Sequence, residues 1–242
     1  MDKPGIGILR QMKREGRRIV GIVAWDTPTA QIAERAGVDF ISVGDSVAAN
    51  LWGRSEDDPA TLEEMTLVCR AVRRGSSRIV VSCDIPADPR LAEEEAAVGA
   101  AIHLSREGGA DMVKVLGTPG TVRAITQAGV PVFAEFHGDH GSPEELVALA
   151  KALEAAGAAM LDFRHSGPVA GAAVSKAVAI PVLGGLGGGP WLDGRVRLAY
   201  TAMGYGVKWL DGGDTYTNNA KATLEAFRAL ADDVRSGRQI KG

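Results

Sequence analysis

One junction recurs along this chain and constrains its fold more than any other feature. A helix-like stretch closes on glycine, one or two residues follow, and a short apolar run begins. The four copies are Ala36-Gly37-Val38-Asp39, Gly108-Gly109-Ala110-Asp111, Ala128-Gly129-Val130-Pro131 and Ala156-Gly157-Ala158-Ala159. Glycine suits the left-handed residue just past a helix end, and a short αβ loop then feeds the next strand. Four such junctions describe a repeated βα unit, not two unlike domains.

The apolar runs are short and nearly continuous, as parallel strands buried on both faces require. Strands are expected at Ile19–Ala24, Asp39–Val43, Arg78–Cys83, Asp111–Val115, Val130–Ala134, Ala158–Phe163, Ile180–Leu183 and, most weakly patterned, Gly206–Leu210. Helical stretches between and after them include Thr29–Ala36, Thr61–Arg74, Leu91–Glu107, Pro143–Ala156 and Thr217–Arg235. About eight units in 242 residues predict an α/β fold, the (β/α)8 TIM barrel, typically ~250 residues long. A doubly wound open sheet is the competing architecture. The expectation is a single domain over 1–242, with 236–242 as a frayed tail. The 31 glycines are dispersed and exceed the usual ~7%, which fits many tight turns.

Thirty acidic against 27 basic residues leave a net charge of −3, with no basic excess to recruit nucleic acid or anionic lipid. Two cysteines, Cys69 and Cys83, cannot build a disulfide framework or a four-thiolate zinc site, and both sit in apolar segments as buried thiols would. No run of ~18 apolar residues is present, and Met1-Asp2-Lys3-Pro4 is not a signal peptide. A soluble, cytoplasmic domain without membrane or nucleic-acid partners is expected.

In a barrel of this kind the active site lies at the C-terminal ends of the strands. The polar residues there are Asp26, Asp45-Ser46, Asp84, Lys114, then Glu135, His137, Asp139 and His140, then Asp162, Arg164 and His165. Asp45 and Asp84, on adjacent strands, can converge as hard oxygen ligands for Mg²⁺ or a similar cation; the plainer alternative is that they cap loops. Lys114 stands in an apolar strand and needs a partner, either a bound oxyanion or a nearby carboxylate. His137-Gly138-Asp139-His140 has the look of a metal motif, although histidines on a glycine-rich loop are more often exposed or supporting. The run Gly184–Gly189 can bring backbone N–H groups to an anion, but it matches neither a P-loop nor a dinucleotide fingerprint, and a tight loop under a neighbour explains it equally. Trp25 and Trp52 fall in the same mouth, as pocket lining or as ordinary packing.

Several of these stretches together resemble the ketopantoate (3-methyl-2-oxobutanoate) hydroxymethyltransferase family. They are Ala24-Trp25-Asp26, Val43-Gly44-Asp45-Ser46, Pro59-Ala60-Thr61-Leu62-Glu63-Glu64-Met65, Asp84-Ile85-Pro86, Glu107 through Lys114, Ile180-Pro181 and the glycine run ending in Asp193-Gly194. The resemblance spans about residues 19 to 200 and places the chain among phosphoenolpyruvate mutase/isocitrate lyase-like barrels. It implies a homo-oligomeric, Mg²⁺-dependent enzyme in which Asp45 and Asp84 hold the metal that a 2-oxo acid chelates, while Ser46 and Lys114 contact that substrate. It further implies that the enolate attacks a one-carbon unit from 5,10-methylenetetrahydrofolate. A metal chelated by carbonyl and carboxylate oxygens stabilises the enolate charge as it develops.

The chain departs from that pattern at four places. Leu116 stands where the family has Glu after the strand-4 Lys, Glu135 where it has His, and Arg164 where it has the general-base Glu; the glycine-rich insertion after strand 5 is largely missing. A charged Arg cannot abstract a proton but can clamp a carboxylate. The leading expectation is therefore hydroxymethyl transfer, from the folate or from formaldehyde, to an altered 2-oxo acid. Glu135 or His137 would then be the base, and Arg164 would hold an extra anionic group. Donor-free carbon–carbon cleavage, by retro-aldol scission or decarboxylation, is the alternative. A metal-binding scaffold is a third, opposed by the joint presence of Asp45, Ser46, Asp84 and Lys114.

Overall fold

The computed structural model describes residues 5–55 and 57–239. The stretch Met1–Pro4 and the last three residues of the expected frayed tail lie outside the described residues. Eight strands, β1 (Ile19–Val23), β2 (Phe40–Val43), β3 (Val80–Asp84), β4 (Met112–Leu116), β5 (Val132–His137), β6 (Met160–Arg164), β7 (Val182–Gly184) and β8 (Gly194–Leu198), form a closed barrel in chain order. Consecutive strands pair in parallel. The TIM barrel is thus the fold, and the open sheet is excluded.

The helices are α1 (Gly7–Arg14), α2 (Thr27–Ala36), α3 (Val47–Asn50), α4 (Leu62–Gly75), α5 (Glu94–Arg106), α6 (Pro119–Gln127), α7 (Pro143–Ala155), α8 (Pro168–Ala177), α9 (Ala199–Met203) and α10 (Asn219–Arg235). Their starts are written locally. Asp26 caps α2 by accepting from Thr29 N at 2.7 Å. Thr61 and Ser142 open α4 and α7 with reciprocal capping boxes to Glu64 and Glu145. All four junction glycines, Gly37, Gly109, Gly129 and Gly157, have positive φ, the conformation that their position past a helix end requires.

One strand lies elsewhere than the pattern suggested. Val207–Trp209 is a 3₁₀ turn, and the eighth strand is Gly194–Leu198. Its sequence GRVRL runs buried, exposed, buried and then half-buried at Arg197 and Leu198, so two arginines interrupt the continuous apolar run that a parallel strand buried on both faces would show. The segment between β7 and β8 consequently carries no helix.

By compactness the chain divides into a unit ending at Val196 and a second beginning at Arg197. In the first, each strand contributes one residue to a single apolar layer: Ile19, Phe40, Val80, Met112, Phe133, Met160, Leu183 and Val196. Leu9 and Met12 of α1 pack into that layer, and Phe40 meets Phe133 edge-on at 5.4 Å. Cys69 and Cys83 are buried free thiols. The second unit holds α9, the 3₁₀ turn and α10. Within it Asn218 caps α10 through Lys221 N and donates to Trp209 O. No helix among the described residues is long and apolar enough to cross a membrane.

Candidate active site

Side chains on a strand share a face every second residue. Starting from the apolar layer, that rule lifts β3 from Val80 through Ser82 to Asp84 and β4 from Met112 to Lys114. It lifts β5 from Phe133 through Glu135 to His137, and β6 from Met160 through Asp162 to Arg164. Each ladder passes from apolar to polar within two steps. Pairing sets Asp84 beside Lys114, Glu135 beside Asp162 and His137 beside Arg164.

Lys114 is the hub. Its Nζ lies 2.9 Å from Asp84 Oδ2, 3.0 Å from Glu135 Oε2 and 3.7 Å from Asp162 Oδ2. Burial opposes the ammonium, yet the three carboxylates outweigh it and hold the group well above its ordinary value. The other oxygen of Glu135, Oε1, accepts from His137 Nε2 at 2.9 Å and from Arg164 Nη1 at 2.8 Å. Burial pushes Glu135 up, but Lys114, His137 and Arg164 prevail and keep it at about 2. Asp84 behaves oppositely. Burial dominates, Lys114 only partly offsets it, neighbouring Asp45 adds to it, and the carboxyl rises to about 7. Burial also raises Asp162, whose Oδ1 accepts from Gly185 N at 3.1 Å.

A cavity of about 440 Å³ opens above this cluster, lined by Asp45, Asp84, Lys114, Glu135, His137 and Arg164 among others. Asp45 is half-buried and its Oδ2 accepts from Ala87 N at 3.3 Å. Gly44 keeps the floor beside Asp84 clear: a Cβ there would lie 3.2 Å from Ser46 Oγ and 3.8 Å from Asp84 Oδ2. Four carboxylates, Asp45, Asp84, Glu135 and Asp162, thus face two permanent cations, Lys114 and Arg164. Asp45 and Asp84 both line the cavity, and their mutual repulsion is part of what raises Asp84; a divalent cation between them would relieve it, which is the observation that fits a metal there. Their donors are all oxygen, the set a hard ion prefers.

A family model of ketopantoate hydroxymethyltransferase matches residues 5–239. The chain belongs to the ketopantoate hydroxymethyltransferase family. The 3-methyl-2-oxobutanoate hydroxymethyltransferase of Colwellia psychrerythraea is 33% identical over 229 residues, 87% of this chain and 86% of that protein. That of Geobacillus kaustophilus is 36% identical over 215 residues, 81% and 77% of the two chains. Among solved structures, 2,3-dimethylmalate lyase, a PEP mutase/isocitrate lyase superfamily member, superposes with a TM-score of 0.66 at 17% identity, covering 96% of this chain and 88% of the other. Phosphonopyruvate hydrolase, solved with oxalate and Mg²⁺, gives 0.67 at 17% identity with the same coverage. At that identity the likeness is one of fold.

Against the ketopantoate hydroxymethyltransferase pattern the structure brings together Asp45, Asp84, Lys114, Glu135, His137 and Arg164. Ser46 is exposed and is not among the residues that line the cavity; its Oγ is turned to the space over Gly44. Leu116 also lines the cavity and is 69% exposed, an apolar side chain at the position where the resemblance implies Glu. Asp162 belongs to the cluster although it stood in the sequence only as one polar residue near a strand end. Its reach to Lys114 follows from barrel stagger, which sequence spacing does not reveal.

Other features resolve as scaffold. Gly184–Gly189 is a tight loop against the end of β6: Leu186 O accepts from His165 N at 2.9 Å, and a Cβ on Gly187 would lie 3.0 Å from His165 Cα. Trp25 is buried and donates to Gly44 O at 2.9 Å, while Trp52 packs under Arg54. The Thr61–Met65 motif is a capping box whose Glu64 also pairs with Arg54.

Proposed function

We propose that this protein transfers a hydroxymethyl group to the carbon next to the carbonyl of a 2-oxo acid, with 5,10-methylenetetrahydrofolate or formaldehyde as donor. The observation that carries the reading is the pair Asp45 and Asp84 at adjacent strand ends, open to the cavity and backed by Lys114. These two aspartates would hold Mg²⁺ or a similar cation, which when bound supplies a Lewis acid for the 2-oxo group. Ser46 and the Lys114 ammonium contact the substrate oxygens, and the fixed positive charge of Lys114 faces the negative charge that develops as the proton leaves.

The proton acceptor in this reading is His137. Glu135, the other candidate base, has both oxygens committed to cations, so its lone pairs are poor proton acceptors. An ionised Glu135 takes the Nε2–H of His137 and so leaves the lone pair on Nδ1, an orienting arrangement common to catalytic histidines. Arg164, anchored on Glu135, lines the cavity with its side chain 31% exposed. It favours a substrate with a second anionic group, and this distinguishes the proposed substrate from 3-methyl-2-oxobutanoate. The proposal keeps the homo-oligomeric, cytoplasmic setting that the family resemblance implies.

Donor-free carbon–carbon cleavage is the second reading, favoured by the same replacement of the family base with Arg164. One experiment separates them: NMR of 2-oxo acids in D₂O with Mg²⁺, then with chelator, using Asp45→Ala and Asp84→Ala protein as controls. Metal-dependent deuterium exchange at C3, followed by consumption of the folate, is the expected result. Cleavage of a single 2-oxo acid without exchange or donor would replace transfer with lysis.

A further inference from the structure

Beyond the end of β5 the chain makes a short 3₁₀ turn, Gly138–His140. One ring nitrogen each from His137 and His140 and a carboxylate oxygen of Asp139 lie within 4.8 Å of one another. We propose that His137, Asp139 and His140 form a second metal site, for a borderline divalent cation of the Zn²⁺ type, separate from the oxygen site of Asp45 and Asp84. Two imidazoles and one carboxylate favour Zn²⁺, Co²⁺ or Ni²⁺, whereas Mg²⁺ favours oxygen alone. Three protein ligands leave a position for water or a substrate oxygen.

Two independent features support a built site. The first is the support behind His137. Its Nε2–H donates to Glu135 Oε1 at 2.9 Å, and Glu135 is itself clamped by Arg164 and Lys114. A carboxylate behind a ligating histidine fixes the tautomer and turns the other nitrogen to the ion.

The second is the packing of the loop. A Cβ on Gly138 would come within 2.3 Å of His165 O, so this glycine is the contact that lets the turn lie directly on the β6 loop. His165 has φ +52° and is the one non-glycine residue with positive φ among the described residues. Such a conformation is costly and is retained where the surroundings enforce it. The His165 ring lies parallel to His137, centroids 6.2 Å apart, and His140 stacks at 5.5 Å on the same ring. Asp139 and His140 are exposed, which gives an ion a path in.

The site stands without the transferase reading; only its consequence rests on that reading. The lone pair of His137 cannot hold a cation and accept a proton at once, so occupancy would suppress the reaction proposed above.

The test is titration of untagged, chelator-stripped protein with Co²⁺, read by visible ligand-field absorption and by bound metal per chain. With excess Mg²⁺ present to fill the oxygen site, about one nitrogen-ligated Co²⁺ per chain is expected, displaced by Zn²⁺ and unchanged in Asp45→Ala. In His140→Ala and Asp139→Asn, both at exposed positions, affinity should fall by about 10-fold or more, with circular dichroism unchanged. Absence of nitrogen-ligated Co²⁺ absorption in the parent protein would overturn the site, as would binding that survives both loop variants. Loss of binding in Asp45→Ala alone would overturn it too, by assigning the ion to the oxygen site. Exchange of 2-oxo acid protons with Mg²⁺ is a separate readout, so failure of the transferase reading leaves these outcomes intact.

Discussion

Arg164 donates from Nη1 to Glu135 Oε1 at 2.8 Å, on adjacent strands. Two of the places at which the chain departs from the family resemblance are therefore partners in one ion pair. Glu at 164 beside Glu at 135 would set two carboxylates against each other. Arg164→Glu alone is accordingly expected to destabilise the protein by about 1–3 kcal/mol, reduced from the cost of breaking a fully buried pair because Arg164 is partly exposed. The double variant Arg164→Glu/Glu135→His removes the clash and should recover most of that loss. Urea denaturation of the four proteins in a double-mutant cycle measures the coupling, and additive effects would refute the partnership.

The metal pair proposed for Asp45 and Asp84 makes a sharper demand on activity. Asp84→Asn keeps the shape and the contact with Ser42 Oγ, 3.4 Å away, while removing a ligand charge. Mg²⁺-dependent exchange should fall by more than about 100-fold, since even outer-shell partners of a metal cost 10–100-fold. The melting temperature should stay within a few degrees. Parent-like exchange in Asp84→Asn would remove Asp84 from the metal site.

Lys114 ties three carboxylates, so its loss is a question of charge as well as catalysis. Lys114→Met leaves Asp84, Glu135 and Asp162 facing one another and should cost about 3–5 kcal/mol. A divalent cation offsets part of that surplus, and ligands that bind only the folded state raise its stability. Added Mg²⁺ should therefore raise the melting temperature of Lys114→Met more than that of the parent protein. Equal gains would mean that the cation does not sense the cluster.

Much of this cluster was legible because each strand carries its own anomaly. A lysine inside Met112–Leu116 required a counter-charge, and the structure supplies three. The βα repeat was legible from four glycines whose φ only a junction demands. Whether Lys114 met a ligand or a carboxylate was not legible, because the stagger that lifts Glu135 and Asp162 to its level is a property of the closed barrel. Nor was β8, since an alternating GRVRL strand shares its polarity with a loop. The Thr61–Met65 motif taught the opposite lesson: its distinctive residues serve a helix start and an ion pair with Arg54, not chemistry.

Away from the site, Glu34 sets an acid limit on stability. It accepts from Ser77 N at 2.7 Å, Arg78 N at 2.8 Å and Ser77 Oγ at 2.8 Å, tying α2 to the segment that enters β3. Partial burial pushes its carboxyl up, but these donors prevail and hold it at about 2, below its ordinary 4.5. A group lowered on folding stabilises the protein above its unfolded value and loses that contribution as pH falls toward the folded one. The stabilisation, about 1–2 kcal/mol after solvent screening, is therefore complete above pH ~5 and declines from there toward pH 2. Glu34→Gln removes the titration. Urea denaturation should show the gap between parent and variant at its full size at pH 7 and at least halved at pH 3. A gap that does not change between those pH values would mean that Glu34 acts by shape alone.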